Sequence, residues 1–408
     1  MNDALPIDTV LPELLAALAA RGMAVLQAPP GAGKTTRVPL AMLDAATVAG
    51  RILMLEPRRL AARAAAERMA ATLGEAVGAR VGYRIRGEAR VSAATRIEVV
   101  TEGILTRLIQ DDPALPGIGA LIFDEFHERS LNADLGLALA IEARAVLRPD
   151  LVLLVMSATL DAGPVAAHLG GAPLVTAPGR AWPVETRWLP APLPAGTPVV
   201  TAAARLILRA LEEHPEGGLL AFLPGEGEIR RVQAALAGRL PPGCVLRPLF
   251  GAMPFAAQRA ALAPEADLRK VVLATAIAET ALTIPGVRVV VDAGLARRAR
   301  FDPASGMTRL VTEPVTRAEA DQRRGRAGRV APGVCYRLWA RSGEGALAAF
   351  PPPEIAAADL AGLALEMALW GSSGLPFLTP PPAPALAEAG ALLAGLGALD
   401  AAGRITAH

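Results

Sequence analysis

The stretch that decides the fold covers residues 23–36 and reads Met23-Ala24-Val25-Leu26-Gln27-Ala28-Pro29-Pro30-Gly31-Ala32-Gly33-Lys34-Thr35-Thr36. A short apolar run of strand type is followed by a glycine loop and then by a helical pattern. Backbone N–H groups that converge in such a loop bind phosphate, and the start of the next helix adds positive potential. Residues 30–36 therefore predict a nucleotide-binding loop, in which Lys34 reaches the β- and γ-phosphates and Thr35 is a ligand of Mg²⁺.

The loop departs from the usual G-x-x-x-x-G-K-[ST] pattern at its first position, where Ala28 replaces glycine. A glycine turn without a ligand is the alternative interpretation. Lysine usage favours the phosphate site, because the chain contains 41 Lys and Arg residues and Lys34 and Lys270 are its only lysines. A residue type that is otherwise avoided, placed at this point of the pattern, indicates a chemical role.

Outside this loop, short apolar runs alternate with helical segments from residue 21 to residue 159, which predicts a parallel sheet covered on both faces. The alternation resumes after a Pro-rich stretch and predicts a second α/β domain, with a linker near residues 180–198. The tail from Pro351 is rich in Pro, Ala and Leu and predicts a small helical module. Strands are predicted at residues 23–26, 51–55, 96–100, 120–123, 151–155, 218–223, 270–274 and 287–291.

The bulk composition bounds the class of protein. A length of 408 residues exceeds one hydrophobic core and predicts two or three domains. Hydrophobic residues make up 52% of the chain, but no clean apolar run reaches the ~20 residues of a membrane-spanning helix, so no membrane partner is expected. The N-terminus does not resemble a signal peptide, which predicts a cytoplasmic location, and the Arg and Ala bias is typical of a GC-rich bacterial genome. Cys244 and Cys335 lie in unrelated contexts, so neither a disulfide nor a zinc site is expected.

Two adjacent carboxylates, Asp124 and Glu125, follow the apolar run at residues 120–123. Ligand sites in open α/β sheets lie at the carboxyl ends of the strands. We therefore predict that Asp124 holds Mg²⁺, directly or through water. Glu125 is predicted to orient the water that attacks the γ-phosphate and to contribute to the metal site. Acidic residues are also favoured at helix N-termini, which is the alternative for this pair.

Arginines cluster in the second domain, with ten between Arg288 and Arg329. The densest part is residues 322–329, Gln-Arg-Arg-Gly-Arg-Ala-Gly-Arg. An arginine brought to the γ-phosphate from a facing domain stabilises the charge of phosphoryl transfer, and Arg326 and Arg329 would share one helix face. A solvated basic helix, or one that only binds phosphate backbone, is the alternative.

Several further motifs follow the loop in a fixed order: Glu56-Pro57-Arg58-Arg59, Thr101-Glu102-Gly103, Asp124-Glu125-Phe126-His127, Ser157-Ala158-Thr159, residues 222–229, residues 274–283 and residues 322–329. Together they resemble superfamily 2 helicases of the DEAH/RHA group, from about residue 15 to the end of the chain. Phe126 and the Ala28-Pro29-Pro30 loop are most similar to the bacterial HrpB branch. The resemblance implies two tandem RecA-like parallel-sheet domains, residues 1–182 and 183–348, followed by a small winged-helix-like module at residues 349–408.

The resemblance also implies a nucleic-acid surface. Residues at matching positions would grip the sugar-phosphate backbone of a single strand, with little sequence preference and strong salt dependence. They are Arg58, Arg59 and Thr101 in the first domain, and Gly225 and Thr275 in the second.

Further matching positions concern the nucleotide. Ser157 and Thr159 would couple hydrolysis to domain movement, and Gln322 would sense the γ-phosphate together with Arg326 and Arg329. Arg68 matches the arginine that clamps the base in the family, but Leu262 stands at the aromatic position. The resemblance therefore implies ATP with weak discrimination against other NTPs, and Mg²⁺ as the metal.

Residues 298–310 contain two short segments around Asp302-Pro303-Ala304-Ser305-Gly306, which predicts a β-hairpin. In the family such a hairpin separates strands at a duplex junction, and a hairpin that only extends the sheet is the alternative. From Pro353 onward the chain resembles the family's winged-helix module, with a helix at residues 386–399 and a strand beginning at residues 403–406. Because family members continue into a helical ratchet domain, the chain resembles an N-terminal fragment or a natural truncation.

Three functions are compatible with these motifs. The first is a monomeric helicase whose NTP hydrolysis is stimulated by nucleic acid and coupled to 3′ to 5′ movement on single-stranded RNA or DNA and to the unwinding of tailed duplexes. The second is an ATP-gated nucleic-acid clamp or remodelling factor with little unwinding, which loss of the ratchet domain favours. The third, a metabolic P-loop kinase, is disfavoured because Gln322 lies almost 300 residues beyond the loop. The motifs do not distinguish RNA from DNA and identify no protein partner.

Overall fold

The computed structural model describes residues 5–158, 162–179, 182–265, 267–279, 284–302, 305–372 and 374–407. The chain divides into two compact units. The first unit contains residues 1–179, 300–308 and 352–408, and the second contains residues 180–299 and 309–351.

The first unit is built on eight strands: β1 (Met23–Gln27), β2 (Arg51–Glu56), β3 (Val81–Ile85), β4 (Glu88–Arg90), β5 (Ile97–Thr101), β6 (Ile118–Phe123), β7 (Val152–Ser157) and β8 (Leu174–Thr176). They form one sheet in the order β4-β3-β5-β2-β6-β7-β1-β8. All neighbouring strands are parallel except β3 and β4, which are antiparallel. The predicted parallel sheet is confirmed, while β3, β4 and β8 had no predicted counterpart.

Helices cover both faces of this sheet: α1 (Leu11–Arg21), α2 (Lys34–Asp44), α3 (Arg59–Thr72), α4 (Glu102–Asp111), α5 (Leu131–Val146) and α6 (Ala162–His168). Successive strand residues point to opposite faces, so neighbours in sequence enter different cores. Val25 and Leu53 pack in one buried cluster, whereas Leu26 and Met54 pack in the other. This double burial is the physical reason that the strands read as continuous apolar runs.

The second unit contains a six-stranded sheet of β9 (Val184–Leu189), β10 (Gly218–Phe222), β11 (Cys244–Leu249), β12 (Arg269–Ala274), β13 (Val287–Asp292) and β16 (Gly333–Ala340). Between β13 and β16 the chain forms a hairpin of β14 (Leu295–Asp302) and β15 (Met307–Pro314), of which residues 300–308 belong to the first unit. The order is β11-β12-β10-β13-β16-β9, with every pair parallel. Its helices are α7 (Val199–Glu213), α8 (Glu226–Leu236), α9 (Phe255–Leu262) and α10 (Arg317–Gly325). The second α/β domain is therefore confirmed.

The linker predicted near residues 180–198 is wrong in part, because β9 lies inside it. This strand pairs in parallel with β16, with Thr186 opposite Cys335. It occupies the edge of the sheet, where flanking prolines cost no ladder hydrogen bond. Proline content alone therefore gave no indication of the strand.

The predicted hairpin is present, since β14 and β15 form a separate two-stranded sheet. Residues 303–304 of its turn lie outside the described residues, and Gly306 adopts a positive φ of 63°. At the base of the hairpin, Arg298 donates to both carboxylate oxygens of Glu319 at 2.7 and 2.6 Å. Glu319 also closes a capping box with Thr316 at the start of α10. The base of the hairpin is thus fixed to the helix that carries Gln322.

The C-terminal segment, residues 352–407, contains α11 (Ala361–Trp370) and α12 (Ala383–Gly395). Its apolar residues, such as Leu363 and Phe377, belong to the same buried cluster as Leu105 and Leu135 of the first unit. The helix predicted at residues 386–399 begins earlier and ends earlier. Residues 403–406 form no strand, although Ile405 makes an isolated antiparallel bridge with Leu399. The winged-helix assignment stays a prediction.

Among the described residues, each helix is too short or too polar to span a bilayer. The two cysteines are unpaired, and Cys335 is buried in the sheet of the second unit. Lys270, the second lysine of the chain, is also buried and donates to the Ala261 carbonyl at the end of α9 at 3.0 Å. Its position indicates a structural role.

Candidate active site

The loop between β1 and α2 depends on glycines at two points. Gly31 and Gly33 have φ angles of 85° and 96°, which side chains with a Cβ avoid. A Cβ on Gly33 would also lie 2.5 Å from Leu5 Cδ1. Ala28, by contrast, is fully buried and does not adopt positive φ, so alanine is accommodated where the usual pattern has glycine.

Lys34 lies at the first turn of α2 and is almost fully buried, with 4% of its surface exposed. Its Nζ lies 2.9 Å from Asp124 Oδ1 and 2.7 Å from Glu125 Oε1. Burial opposes the charge on the lysine, but the two carboxylates outweigh burial and raise the pKa of Lys34 above its usual range. The structure therefore brings the rare lysine and both predicted carboxylates into one buried cluster.

Thr35 and Asp124 provide a pair of oxygens suited to Mg²⁺. The Thr35 hydroxyl donates to Asp124 Oδ2 at 2.5 Å, and Asp124 is held by its backbone N–H, which donates to the Leu55 carbonyl. Mg²⁺ prefers oxygen ligands and is bound in proteins through one or two carboxylates, with water and substrate phosphates completing its shell. The donor set fits such an ion, which Thr35 and Asp124 would hold.

His127 links the acidic motif to the motif that begins at Ser157. His127 Nδ1 lies 3.3 Å from Glu125 Oε2 and 3.4 Å from the backbone N of Ala158. Burial lowers the pKa of His127, which keeps the ring neutral at pH 7. Ser157 at the end of β7 accepts a hydrogen bond from Ala28 N–H through its carbonyl. Thr159, predicted to couple hydrolysis to movement with Ser157, lies outside the described residues.

Glu56 at the end of β2 is a third carboxyl near this cluster, and the sequence gave it no role. It is fully buried, and burial together with Asp124 and Glu125 raises its pKa well above the usual range. The environment therefore favours the protonated form of Glu56, which adds no third negative charge beside Lys34.

The nucleic-acid residues predicted in the first unit lie at the same edge of the sheet. Arg58 and Arg59 begin α3 directly after β2, and Thr101 ends β5, the strand paired with β2. Arg58 forms an ion pair with Glu128 at 3.2 Å, while Arg59 is exposed. Parallel strands present their carboxyl ends at one edge, which explains why motifs far apart in sequence meet here.

In the second unit, Gly225 and Thr275 also follow neighbouring strands at their carboxyl ends. Gly225 precedes α8, and Thr275 follows β12, which pairs with β10. A Cβ on Gly225 would lie 2.5 Å from Arg297 Nη1. The structure thus brings the two residues to one edge of the second sheet.

The residues predicted to sense the γ-phosphate lie on and after α10. Gln322 and Arg326 are buried, and Arg326 Nε donates to the Glu279 carbonyl at 3.0 Å. Arg329 follows the short 3₁₀ turn at residues 326–328 and is half-buried. Because Arg326 begins that turn and Arg329 lies just beyond it, the shared face of the two arginines stays a prediction.

Arg323, to which the sequence assigned no role, is the most buried of these arginines, with 1% exposed. It donates to Glu279 Oε1 at 2.6 Å, to Asp292 Oδ1 at 2.7 Å and to the Leu295 carbonyl at 3.2 Å. Its guanidinium therefore joins α10 to β13 and to the base of the hairpin. The ten-arginine cluster is accordingly not one uniform phosphate-facing surface.

Replacing Arg323 with Met is expected to lower the free energy of unfolding of the second unit by ~3–5 kcal/mol, because two buried carboxylates lose their partner. Arg324→Met is the matched control. Arg324 is more exposed and pairs with Asp321 at 3.4 Å, so its loss should cost at most ~1 kcal/mol. Urea titration followed by tryptophan fluorescence measures both variants, and equal effects would contradict the assignment.

Glu102, at the start of α4, is a second residue that sequence reasoning left without a role. Burial raises its pKa to about 7, and Glu128, Glu354 and Asp134 add to the rise, while a hydrogen bond from the Ser130 hydroxyl at 2.6 Å opposes it. The folded protein therefore retains a proton that the unfolded chain loses near pH 4.5. The stability from this proton is complete below pH 4.5 and is lost as the pH rises through about 7.

Glu102→Gln, which imitates the protonated form, is expected to stabilise the first unit by ~1–3 kcal/mol at pH 8 and by less at pH 5. The measurement is the shift in Tm at both pH values. Glu388→Gln on the exposed face of α12 is the control, and we expect no pH-dependent difference from it. A Glu102→Gln shift of the same size at both pH values would contradict the prediction.

Comparison with known proteins gives a consistent result. The family model described as DEAD/DEAH box helicase matches residues 9–167, and the helicase conserved C-terminal domain matches residues 202–331. The ATP-dependent RNA helicase HrpB of Escherichia coli is 50% identical over 97% of this chain and 49% of its own length. The probable ATP-dependent RNA helicase DHX34 of Homo sapiens is 38% identical over 99% of this chain and 36% of its own length.

The crystal structure of the E. coli DEAH/RHA helicase HrpB superimposes with a TM-score of 0.93 at 49% identity, covering 99% of this chain and 52% of that chain. The chain thus spans about half the length of its bacterial relative and about a third of the human one.

Proposed function

Because this chain belongs to the DEAH/RHA group of superfamily 2 helicases and is of the HrpB type, we propose that a nucleic-acid strand stimulates its ATP hydrolysis. Hydrolysis drives the chain 3′ to 5′ along the single strand, and duplex ahead of it is unwound. The observation that carries the proposal is the buried cluster of Lys34, Asp124 and Glu125 beside Thr35. The names of the relatives favour RNA over DNA as the strand. We propose ATP as the substrate for hydrolysis, and other NTPs as alternative substrates.

In this proposal each residue of the cluster has a separate task. The loop of residues 30–36 holds the phosphates through backbone N–H groups and Lys34. Thr35 and Asp124 hold Mg²⁺, which neutralises charge on the phosphates, and Glu125 orients the attacking water. Lys34 contacts both carboxylates, which keep it protonated. Bound phosphates would interact with the same positive charge.

Residues of the second unit complete the chemistry in the proposal. Arg329 stabilises the charge that develops at the γ-phosphate, and Gln322 contributes to sensing that group. Arg326 is held by the Glu279 carbonyl, which favours a supporting role for it and leaves Arg329 as the first choice for the finger. Thr159 is proposed, with Ser157, to transmit hydrolysis to movement.

The strand is proposed to run along the carboxyl edges where Arg58, Arg59 and Thr101 lie, and where Gly225 and Thr275 lie in the second unit. Phosphate groups would replace Glu128 as the partner of Arg58, so binding exchanges one ion pair for another. Contacts of this kind read the backbone and not the bases. We propose weak sequence preference, with affinity that falls as salt rises.

The hairpin of β14 and β15 is proposed to separate the strands of the duplex. Large apolar side chains project from β15 into solvent, with Met307, Leu310 and Val311 exposed by 54%, 70% and 40%. Apolar surface that a hairpin leaves exposed is suited to contact unstacked bases.

The proposal also includes three domains, at residues 1–182, 183–348 and 349–408. It further includes a monomeric state and a cytoplasmic location.

An ATP-gated clamp or remodelling factor is the second candidate, because the same nucleotide cluster and the same backbone-binding residues would serve a protein that holds a strand without separating a duplex. Strand separation and ATP hydrolysis on the same duplex distinguish the two. RNA and DNA duplexes with a 3′ or a 5′ tail are incubated with the chain, and duplex loss and phosphate release are recorded together. We expect unwinding of the 3′-tailed RNA duplex, and hydrolysis without strand separation on any duplex would favour the clamp.

Arg68 is kept as the proposed base contact. It lies exposed on α3, while Leu262 is partly buried against the core of the second unit. A leucine provides no aromatic stacking face, so the proposal includes similar rates with ATP and GTP.

A further inference from the structure

The loop between β6 and α5 contains two residues in a strained conformation. Glu125 and Arg129 both adopt the left-handed region, with φ angles of 51° and 47°. For residues other than glycine this conformation costs ~1–2 kcal/mol each, and it persists only where surrounding contacts enforce it. Glu125 is held by Lys34. The contacts that hold Arg129 come from its own loop and helix α5 and also from the C-terminal segment.

The Arg129 side chain is fixed by three groups. It donates to both oxygens of the buried Asp134, at 2.8 and 3.0 Å. It also donates to the Thr379 hydroxyl at 2.9 Å, and its guanidinium lies 5.7 Å from the centre of the Phe126 ring. A forked arginine on a carboxylate is a geometrically specific contact, so the side chain has little freedom. Thr379 supplies that contact from a point 250 residues further along the chain.

The backbone on either side of Ser130 is fixed by Glu354. The Arg129 carbonyl accepts a hydrogen bond from Glu354 N–H at 3.0 Å. The Glu354 carboxylate accepts from Leu131 N–H at 2.7 Å, at the first turn of α5. The first N–H groups of a helix have no partner within the helix, and a carboxylate there also interacts favourably with the helix dipole. Residues 129–131 are therefore held by the C-terminal segment through both backbone and side chain.

Glu125 and Arg129 are the two ends of one short turn. Glu128 N–H donates to the Glu125 carbonyl at 2.9 Å, and Arg129 N–H donates to the Phe126 carbonyl at 3.1 Å. A turn closed by two hydrogen bonds transmits a change at one end to the other, because it has few independent torsions left. If Arg129 relaxed to an unstrained conformation, the direction of the Glu125 carboxylate would change.

We propose that Arg129 is a positioning residue for hydrolysis, and that Thr379 and Glu354 of the C-terminal segment hold the loop that aims Glu125. The segment is then a working part of the hydrolytic site and not only a covering of the sheet. This inference rests on the proposed function, since it assumes that Glu125 orients the attacking water. A misplacement of about 1 Å at such a group costs up to ~100-fold in rate.

The test uses the 408-residue chain with Thr379→Val, Glu354→Ala and the double variant. We expect the single variants to lower kcat for ATP about 3- to 10-fold and the double variant about 10- to 100-fold. KM for ATP and the Kd of a fluorescent ATP analogue should stay within about twofold, because the phosphate loop is untouched. Thr379→Ser, which restores the hydroxyl, should recover most of the rate.

Trp370→Phe is the matched control. Trp370 also joins the C-terminal segment to the body of the first unit, through a hydrogen bond to Glu142 at 3.1 Å that does not involve the loop. It should change kcat less than twofold, even where it lowers Tm as much as the Thr379→Val change does. Rates are therefore measured well below every Tm and divided by the concentration of nucleotide-binding sites.

Two results would overturn the inference: an unchanged kcat in the double variant, or an equal loss of kcat in Trp370→Phe. A separate measurement distinguishes a failure of this inference from a failure of the proposed function. If Glu125→Gln itself kept normal turnover, the role of Glu125 would fail, whatever the Thr379 and Glu354 variants showed.

Discussion

Glu125→Gln is expected to reduce ATP turnover by ~10²–10⁴-fold while leaving nucleotide binding nearly intact. Glutamine keeps the size of the side chain and can still accept the hydrogen bond from Lys34, but it cannot take the proton of an attacking water. In the proposed function the carboxylate orients and activates that water, and the loop of residues 30–36 holds the phosphates. Titration with a fluorescent ATP analogue and phosphate release measure the two quantities.

Lys34→Ala supplies the comparison. It should weaken nucleotide binding itself, because it removes the positive charge that reaches the phosphates. It also leaves Asp124 and Glu125 buried without their partner, so its Tm must be recorded. Equal loss of binding in both variants would show that the separate roles of Glu125 and Lys34 are wrong.

Arg329→Ala is expected to lower kcat by about 10³-fold, the scale of an arginine finger. Binding of ADP should barely change, since the finger meets charge only around the γ-phosphate. Arg326→Ala is the necessary comparison, because Arg326 is buried on the Glu279 carbonyl and its loss should also reduce stability. A rate for Arg329→Ala within tenfold of the wild type would move the finger to Arg326 or another residue.

Strand prediction succeeded where burial on both faces gives an uninterrupted apolar run, and it missed the buried strands β3 and β16, whose runs contain Gly82 and Arg337. β1, β2 and β7 are continuous apolar runs because alternate residues enter two different cores. β4 and β9 were missed because they lie at sheet edges, where exposed residues such as Arg90 and Glu185 interrupt the run. Such an edge strand is stabilised by a partner strand that is distant in sequence, and the composition of the edge strand does not indicate that partner.

Some contacts of the candidate site could be predicted from the sequence, and others could not. The meeting of Lys34 with Asp124 could be predicted, because strand, loop and helix order place both at one edge of a parallel sheet. Among the arginines of residues 322–329, however, the sequence did not indicate that Arg323 is the most buried. That depends on how α10 is rotated against β13, which the pairing of Arg323 with Asp292 reveals.

The contacts of Arg129 could not have been predicted from local sequence at all. Glu354 and Thr379 lie more than 200 residues away, in a segment whose composition suggests only a helical module. Glu102 is similar, since its pKa of about 7 arises from burial and from Glu128, Glu354 and Asp134. Such groups become visible only when separate parts of the chain are packed together.

The central claim is that ATP hydrolysis by this chain depends on a nucleic-acid strand. Its most direct test is the steady-state rate of phosphate release with and without single-stranded RNA, repeated over a series of salt concentrations. We predict a rate that rises severalfold with RNA. The logarithm of the apparent RNA binding constant should fall linearly with the logarithm of the salt concentration, with a slope of about −0.7 for each phosphate contacted. A rate that RNA leaves unchanged at every salt concentration, in a chain that still binds the nucleotide, would contradict the account.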